Sequence, residues 1–433
     1  MDAPLSNVSA TRAAEAIREG RLTSVDLVNA CLDRIDATDH DIHAWEYLDE
    51  KGALARAEEL DQMAASGAKP GPLHGIPIGL KDIIDTGDMP TENGSAAYAG
   101  RWPLTDAACV KALRSAGAVV LGKTKTTELA YMFATDTRNP HDPGRTPGGS
   151  SSGSAAAVAA GHVPLAMGSQ TGGSIIRPAA FCGVVGYKPS RDMIPTEGVL
   201  CTSKTLDHLG VFARTLEDTA FLAGVLRDPA HQGAEPLQDA SWDRTGPTPR
   251  LCWIDYPFLD LLEPDAHADL RAILDKLGGH VTRLRPDDLP DTIAAHHTIY
   301  DYELNRNLGH LSTTHPDDLS DTAKSAFARG ARISDHTYAQ ALAERARAQE
   351  VLGDLLEQFD AAIGPAAPGV APAFGPGTGN SVFCRTYSLT GFPSLTIPLQ
   401  RPAGQLPLGL QITGGAAADD ALLATAAAIQ RLL

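Results

Sequence analysis

Two glycine-rich segments hold the serines whose setting suits nucleophilic chemistry. They are Gly148-Gly149-Ser150-Ser151-Ser152-Gly153-Ser154 and Gly168-Ser169-Gln170-Thr171-Gly172-Gly173-Ser174. A Gly-Gly pair directly before Ser174 frees the backbone to turn its N–H groups towards the serine's reaction centre. An oxyanion hole needs that geometry, and each donor is typically worth about 2.7–4 kcal/mol of barrier. The plain alternative is a pair of flexible Gly/Ser loops. The apolar residues that follow, Ile175, Ile176 and Phe181, argue against it.

A serine hydroxyl needs a base, and both histidine and lysine serve in known schemes. Neither glycine-rich segment contains a histidine. Lys81 follows the apolar run Ile76 to Leu80 and precedes Asp82, which predicts a place at a strand end. Neutralising a free lysine at pH 7 costs about 4.6 kcal/mol. Burial can lower a lysine pKa by about 3–5, enough to cover that cost. Residue type alone, however, leaves Lys81 as a solvated surface charge.

Two other motifs mislead. Gly117 to Thr124 matches the phosphate-loop pattern GxxxxGK[ST], but its middle residues, Ala118-Val119-Val120-Leu121, are β-prone and read as the strand itself. Gly149-Ser150-Ser151-Ser152-Gly153 matches a GxSxG elbow, which belongs after a hydrophobic strand. Here Pro143-Gly144-Arg145-Thr146-Pro147-Gly148 precedes it, which no central strand tolerates.

The elements that must position these residues are read from periodicity. Residues 9–65 read as helices, with Thr23 and Asp26 resembling a capping box before a face of Leu27, Cys31 and Ile35. From residue 71, apolar runs at 75–80, 118–121 and 184–186 alternate with helical stretches at 106–116 and 154–160. Residues 226–250 read as a surface connection, 255–360 as mostly helical and 364–380 as an irregular loop rich in proline and glycine. Apolar runs return at 394–397 and 408–412, before a final helix from about 419 to 432. The alternation predicts an α/β fold: one large domain with a central mixed β-sheet covered by helices on both faces.

The 433 residues carry a formal net charge of −17, which disfavours nucleic acid and anionic membrane as partners. The six cysteines form no CxxC pair, so a zinc or redox site is not expected, and reduced buried thiols suit a cytoplasmic protein. The N-terminus has no signal-peptide pattern, and the apolar stretch 155–167 is too interrupted to span a bilayer.

The sequence resembles the amidase signature family. The residues that carry the likeness are Gly148 to Ala160, Gly168 to Ser190, Gly75 to Asp82, Leu206-Asp207-His208-Leu209-Gly210 and Leu406 to Gln411. The match is most specific over 145–190 and weakest over 230–360. The resemblance implies one signature domain over 1–433: a helical part at 1–70, the signature core at 71–225, a variable substrate-side region at 226–360 and a return to the sheet at 361–433. It also implies a Ser–cis-Ser–Lys triad of Ser174 as nucleophile, Ser150 as bridge with a cis peptide, and Lys81 as base. The backbone N–H groups of Thr171, Gly172, Gly173 and Ser174 would hold the oxyanion. No metal or organic cofactor is implied.

The pattern departs from the family at one place. Many members carry Asp where Gln170 stands and Arg where Ile176 stands; here Arg177 comes one residue later. Ser152 replaces a usual glycine. Tyr131, Met132, Phe133 and Gln170 are the candidate substrate contacts, and a core aromatic cluster is the plain alternative for the first three. The expected function is hydrolysis of small or aryl amides, extending to carbamates, by a monomer or homodimer. The alternatives are the glutaminase (A) subunit of a tRNA-dependent amidotransferase, a promiscuous esterase, or a non-catalytic binding protein on the same fold. Gln170, Ile176 and the weak 230–360 match count against the amidotransferase reading.

Overall fold

A computed structural model describes residues 4–228, 230 and 248–433. The surface connection expected at 226–250 falls largely outside the described residues. Among them, eleven strands form one mixed sheet. In chain order these are β1 Trp45–Leu48, β2 Pro77–Lys81, β3 Val119–Thr124, β4 Leu165–Gln170, β5 Val185–Lys188, β6 His208–Ala213, β7 Leu251–Ile254, β8 Val281–Leu284, β9 Ala361–Pro365, β10 Ser394–Pro398 and β11 Gly409–Thr413. Their spatial order is β1-β3-β2-β4-β6-β5-β10-β11-β9-β7-β8. β2 runs parallel to β3 and β4, whereas β4 and β6 are antiparallel.

Period-two alternation sets the two cores. Val119, Leu121 and Ala166 pack on one face of the sheet, while Ile78, Leu80, Val120, Leu165 and Met167 pack on the other. The helix Ser24–Ile42 starts as its cap predicts, with the Thr23 hydroxyl accepting from the Asp26 amide at 3.0 Å. The helix Ser152–Ala159 buries Ala155, Ala156, Ala157 and Val158 completely. Small side chains let it sit close beneath the sheet.

The structure differs from the sequence expectation at short strands. β1 lies inside the stretch read as helical, and β7 and β8 lie inside the stretch read as mostly helical or next to it. Each is four residues long, and β8 is a half-exposed edge whose polar side chains break the apolar signal. The phosphate-loop pattern is β3 itself, and its Lys123 is buried, donating to Ile84 O and Thr91. No helix among the described residues is long and apolar enough to cross a membrane.

The approach of the Ser152–Ala159 helix to the sheet edge depends on Gly153. A β-carbon there would lie 2.1 Å from Ala44 O and 2.5 Å from Lys125 N, both backbone atoms. We expect Gly153→Ala to destabilise the protein by ~2–3 kcal/mol in a denaturant titration. Gly364→Ala, where a β-carbon meets nothing within 4 Å, serves as control and should stay within ~0.5 kcal/mol of wild type.

Candidate active site

Parallel pairing brings the ends of β2 and β4 together, with Leu80 opposite Met167. Lys81 closes β2 and is fully buried. Its Nζ lies 2.7 Å from Ser150 Oγ and 2.7 Å from Ser169 Oγ. No described carboxylate forms an ion pair with it; Asp207 acts on it only through its field. Burial pushes its pKa down to about 7. The surface-charge alternative for Lys81 is therefore overturned, because the strand end is capped by the serine loop rather than open to water.

The serine cluster divides its labour. Ser150 faces Lys81, and the Gly149–Ser150 peptide is cis. The Ser151 hydroxyl donates to Ser169 O and accepts from Ser169 N, stitching the loop to β4. Ser152 donates to Gly148 O, and Ser154 to Met167 O. Ser151, the centre of the elbow pattern, is thus a buried brace.

The loop after β4 is held by its carbonyls. His296 Nε2 meets Thr171 O at 2.8 Å, and the Ser388 hydroxyl donates to Gly172 O at 2.8 Å. Gln170 Oε1 accepts from the Ile175 and Ile176 amides at 2.8 and 3.0 Å, and its Nε2 donates to Ser388. Among the described residues, nothing accepts from the amides of Gly172, Gly173 and Ser174. Three consecutive unpaired donors in a buried loop form an anion-binding nest. The Ser174 side chain lies at the same loop, 9 % exposed. Asp207 orients the Thr171 hydroxyl at 2.6 Å and is fixed in turn by the Thr202 and Ser203 amides.

The expected substrate contacts separate. Gln170 is fully buried and spent on the loop, so it presents no atom to a ligand. Tyr131 and Met132 follow two left-handed residues, Leu129 and Ala130, and line a cavity of ≈ 560 Å³ with Tyr300, Arg329 and Arg385. Phe133 is 45 % exposed and lies along a different groove with Glu46 and Glu92. Residue type alone did not single out Ser169, His296, Ser388 or Arg385; the three on helices far along the chain carry no local motif.

Arg177 is the other finding. The charge is displaced along the chain rather than lost. Its buried guanidinium donates to Gly149 O at 2.6 Å, Gly379 O at 2.7 Å and Thr378 Oγ1 at 2.8 Å. Burial lowers its pKa to about 10, so it stays charged at neutral pH. It clasps the carbonyl of the cis peptide, while Gln170, with no charge to balance, caps the helix Ile176–Cys182.

A mixed α/β sheet with this arrangement at its strand ends is the frame of an enzyme acting on C–N bonds. The chain belongs to the amidase signature family: the Amidase family profile matches residues 26–423. It is 34% identical over 474 residues to the glutamyl-tRNA(Gln) amidotransferase A-subunit of Chloroflexus aurantiacus, covering 99% of this chain and 97% of the relative. It is 32% identical over 480 residues to the counterpart from Roseiflexus castenholzii, covering 99% and 96%. These alignments run through 230–360, where the motif likeness is weakest. Among solved structures, one reported as revealing the evolutionary origins of an s-triazine catabolic enzyme superposes with TM-score 0.91 at 29% identity, covering 98% of both chains. The amidotransferase A-subunit from Thermotoga maritima superposes with TM-score 0.82 at 25% identity, covering 100% of this chain and 96% of the other.

Gln170→Ala removes one acceptor from two buried amides. We expect a stability loss of ~2–3 kcal/mol, read by chemical denaturation. The nest beside Ser174 loses its anchor with it, so kcat should fall by roughly tenfold or more, a size typical of misplaced oxyanion donors.

Proposed function

We propose that this chain hydrolyses an amide C–N bond through an acyl-enzyme on Ser174, with Lys81 acting through Ser150 as its base. The observation that carries this reading is the fully buried Lys81, free of a carboxylate partner among the described residues and 2.7 Å from Ser150 Oγ. A neutral amine donates to Ser169 and turns its lone pair to Ser150. Ser150 passes its proton to Nζ as it accepts one from Ser174. The Ser174 hydroxyl makes no hydrogen bond with a described residue, so no bond must break before it attacks a bound carbonyl. The amides of Thr171, Gly172, Gly173 and Ser174 stabilise the oxyanion. The proton on Nζ returns to the leaving nitrogen, and water then cleaves the ester by the same relay.

Two substrate assignments follow. The curated relatives favour a part like that of the amidotransferase A-subunit, releasing nitrogen from a primary carboxamide within an assembly. Small-amide hydrolysis by the chain alone is the second reading. The likeness to a 29% identical peptide amidase of Stenotrophomonas maltophilia, with TM-score 0.84, supports it. Turnover of glutamine and of aryl amides, primary amides, carbamates and esters by the isolated chain separates the two. A chain that hydrolyses none of these alone belongs with the assembly.

Ser174→Ala should abolish both hydrolysis and labelling by a fluorophosphonate probe, and unchanged labelling would place the nucleophile elsewhere. Only neutral Lys81 can accept a proton, so kcat/KM should rise with pH up to about 7 and level off above it. In Lys81→Met the residual activity should lack that rise.

A further inference from the structure

Arg385 stands on the helix Val382–Thr390, which packs against the nucleophile loop. A β-carbon on Gly172 would lie 3.7 Å from Arg385 Nη1, and one on Gly173 would lie 3.2 Å from Cys384 Cβ. The guanidinium therefore sits no more than about 12 Å from the Ser174 Cα, since two residues span at most ~7 Å.

The side chain is 7 % exposed, and what remains exposed opens into the ≈ 560 Å³ cavity. Its one hydrogen bond among the described residues runs from Nη1 to His296 Nδ1 at 2.9 Å. His296 is neutral there, because burial and the adjacent guanidinium hold its pKa well below the usual range. Among the described residues, no carboxylate pairs with Arg385 and no acceptor meets its Nε or Nη2. The second guanidinium of the cavity behaves differently. Arg329 is already neutralised by Asp301, at 2.7 Å, and also donates to the Tyr131 hydroxyl at 2.7 Å. Asp321 lies on the exposed rim. The cavity thus holds one buried cation without an anion among the described residues, with its fork of donors unspent.

A buried charge with no partner is costly unless something completes it. A guanidinium fork matches a carboxylate in two parallel hydrogen bonds. We propose that Arg385 is a specificity-determining residue, and that the substrate is an amide carrying a free carboxylate a few bonds from its scissile carbonyl. This rests on the serine-amidase reading above and narrows its substrate class. Binding the carboxylate beside Gly172 positions the amide carbonyl over the nest; neutral amides lack that anchor. Monoamides of short dicarboxylic acids and amino acids with a carboxamide side chain meet the description.

The test uses the full chain and anilides in matched pairs, followed by release of the arylamine. One pair carries the carboxylate on the acyl side (succinanilic acid and its methyl ester), the other on the amine side (a 4-acetamidobenzoate and its methyl ester). The expected result is a preference in kcat/KM of about 100-fold or more for the free acid of one pair. It should collapse to near unity in Arg385→Gln, mainly through KM, and be partly restored in Arg385→Lys. A merely structural role would lower both members of a pair together and leave their ratio unchanged, which would overturn the proposal. So would the absence of a free-acid preference in either pair while wild-type Ser174 reacts with a fluorophosphonate. If wild type is not labelled, the amidase reading fails separately, and the anion site is then judged by binding. Succinate should raise the melting temperature of wild type and not of Arg385→Gln; an equal shift in both, or none in either, refutes the site.

Discussion

The fully buried amine of Lys81 is the constraint around which this active site is arranged. A lysine at the end of β2 stays neutral only if water and carboxylates are kept away while hydroxyls satisfy its nitrogen. The parallel pairing of β2 with β4 supplies Ser169 from one side, and the serine loop supplies Ser150 from the other. The rest of the cluster keeps that lid shut. Ser151, Ser152 and Ser154 tie the loop to β4 and to itself, and the small residues of the following helix let it press onto the sheet.

The loop that carries Ser174 obeys a complementary rule. Its amides can face a reacting oxygen only if its carbonyls are held elsewhere. Thr171 O and Gly172 O are taken by His296 and Ser388, which come from helices more than a hundred residues further along the chain. The substrate-side region expected at 226–360, which holds His296, is therefore also part of the frame. Gln170 shows how an uncharged side chain can serve where the family resemblance leads one to expect an acid. Its amide oxygen receives two helix-terminal N–H groups, and its nitrogen orients Ser388. Arg177, with no acid partner at that position, donates from its terminal nitrogens to two carbonyl oxygens and the Thr378 hydroxyl instead.

The relatives and the geometry bear on different questions. Family membership and the C–N bond as target follow from likeness over nearly the whole chain. The cavity beside Gly172 that Arg385 and Tyr131 both line bears on the separate question of which amide is cleaved.

Local chemistry was legible in the sequence. The Gly-Gly pair before Ser174, the apolar runs of β2, β3 and β5 and the Thr23 cap could all be read from neighbouring residues, because turns, caps and strand alternation depend on short spacings; the departure at Gln170 was legible only against the family pattern. The residues could not say whether Lys81 was buried, and only family resemblance lifted it above a surface charge. Nor could they show that Gln170 braces the loop rather than meeting a ligand, or that Phe133 parts from Tyr131 and Met132. The short strands β1, β7 and β8 were also illegible, since they are held by pairing with strands elsewhere in the chain. Burial, partner and direction are set by what packs against a side chain from elsewhere in the chain. For Lys81, Gln170 and Arg385 those neighbours lie on other elements, and only the folded structure brings them together.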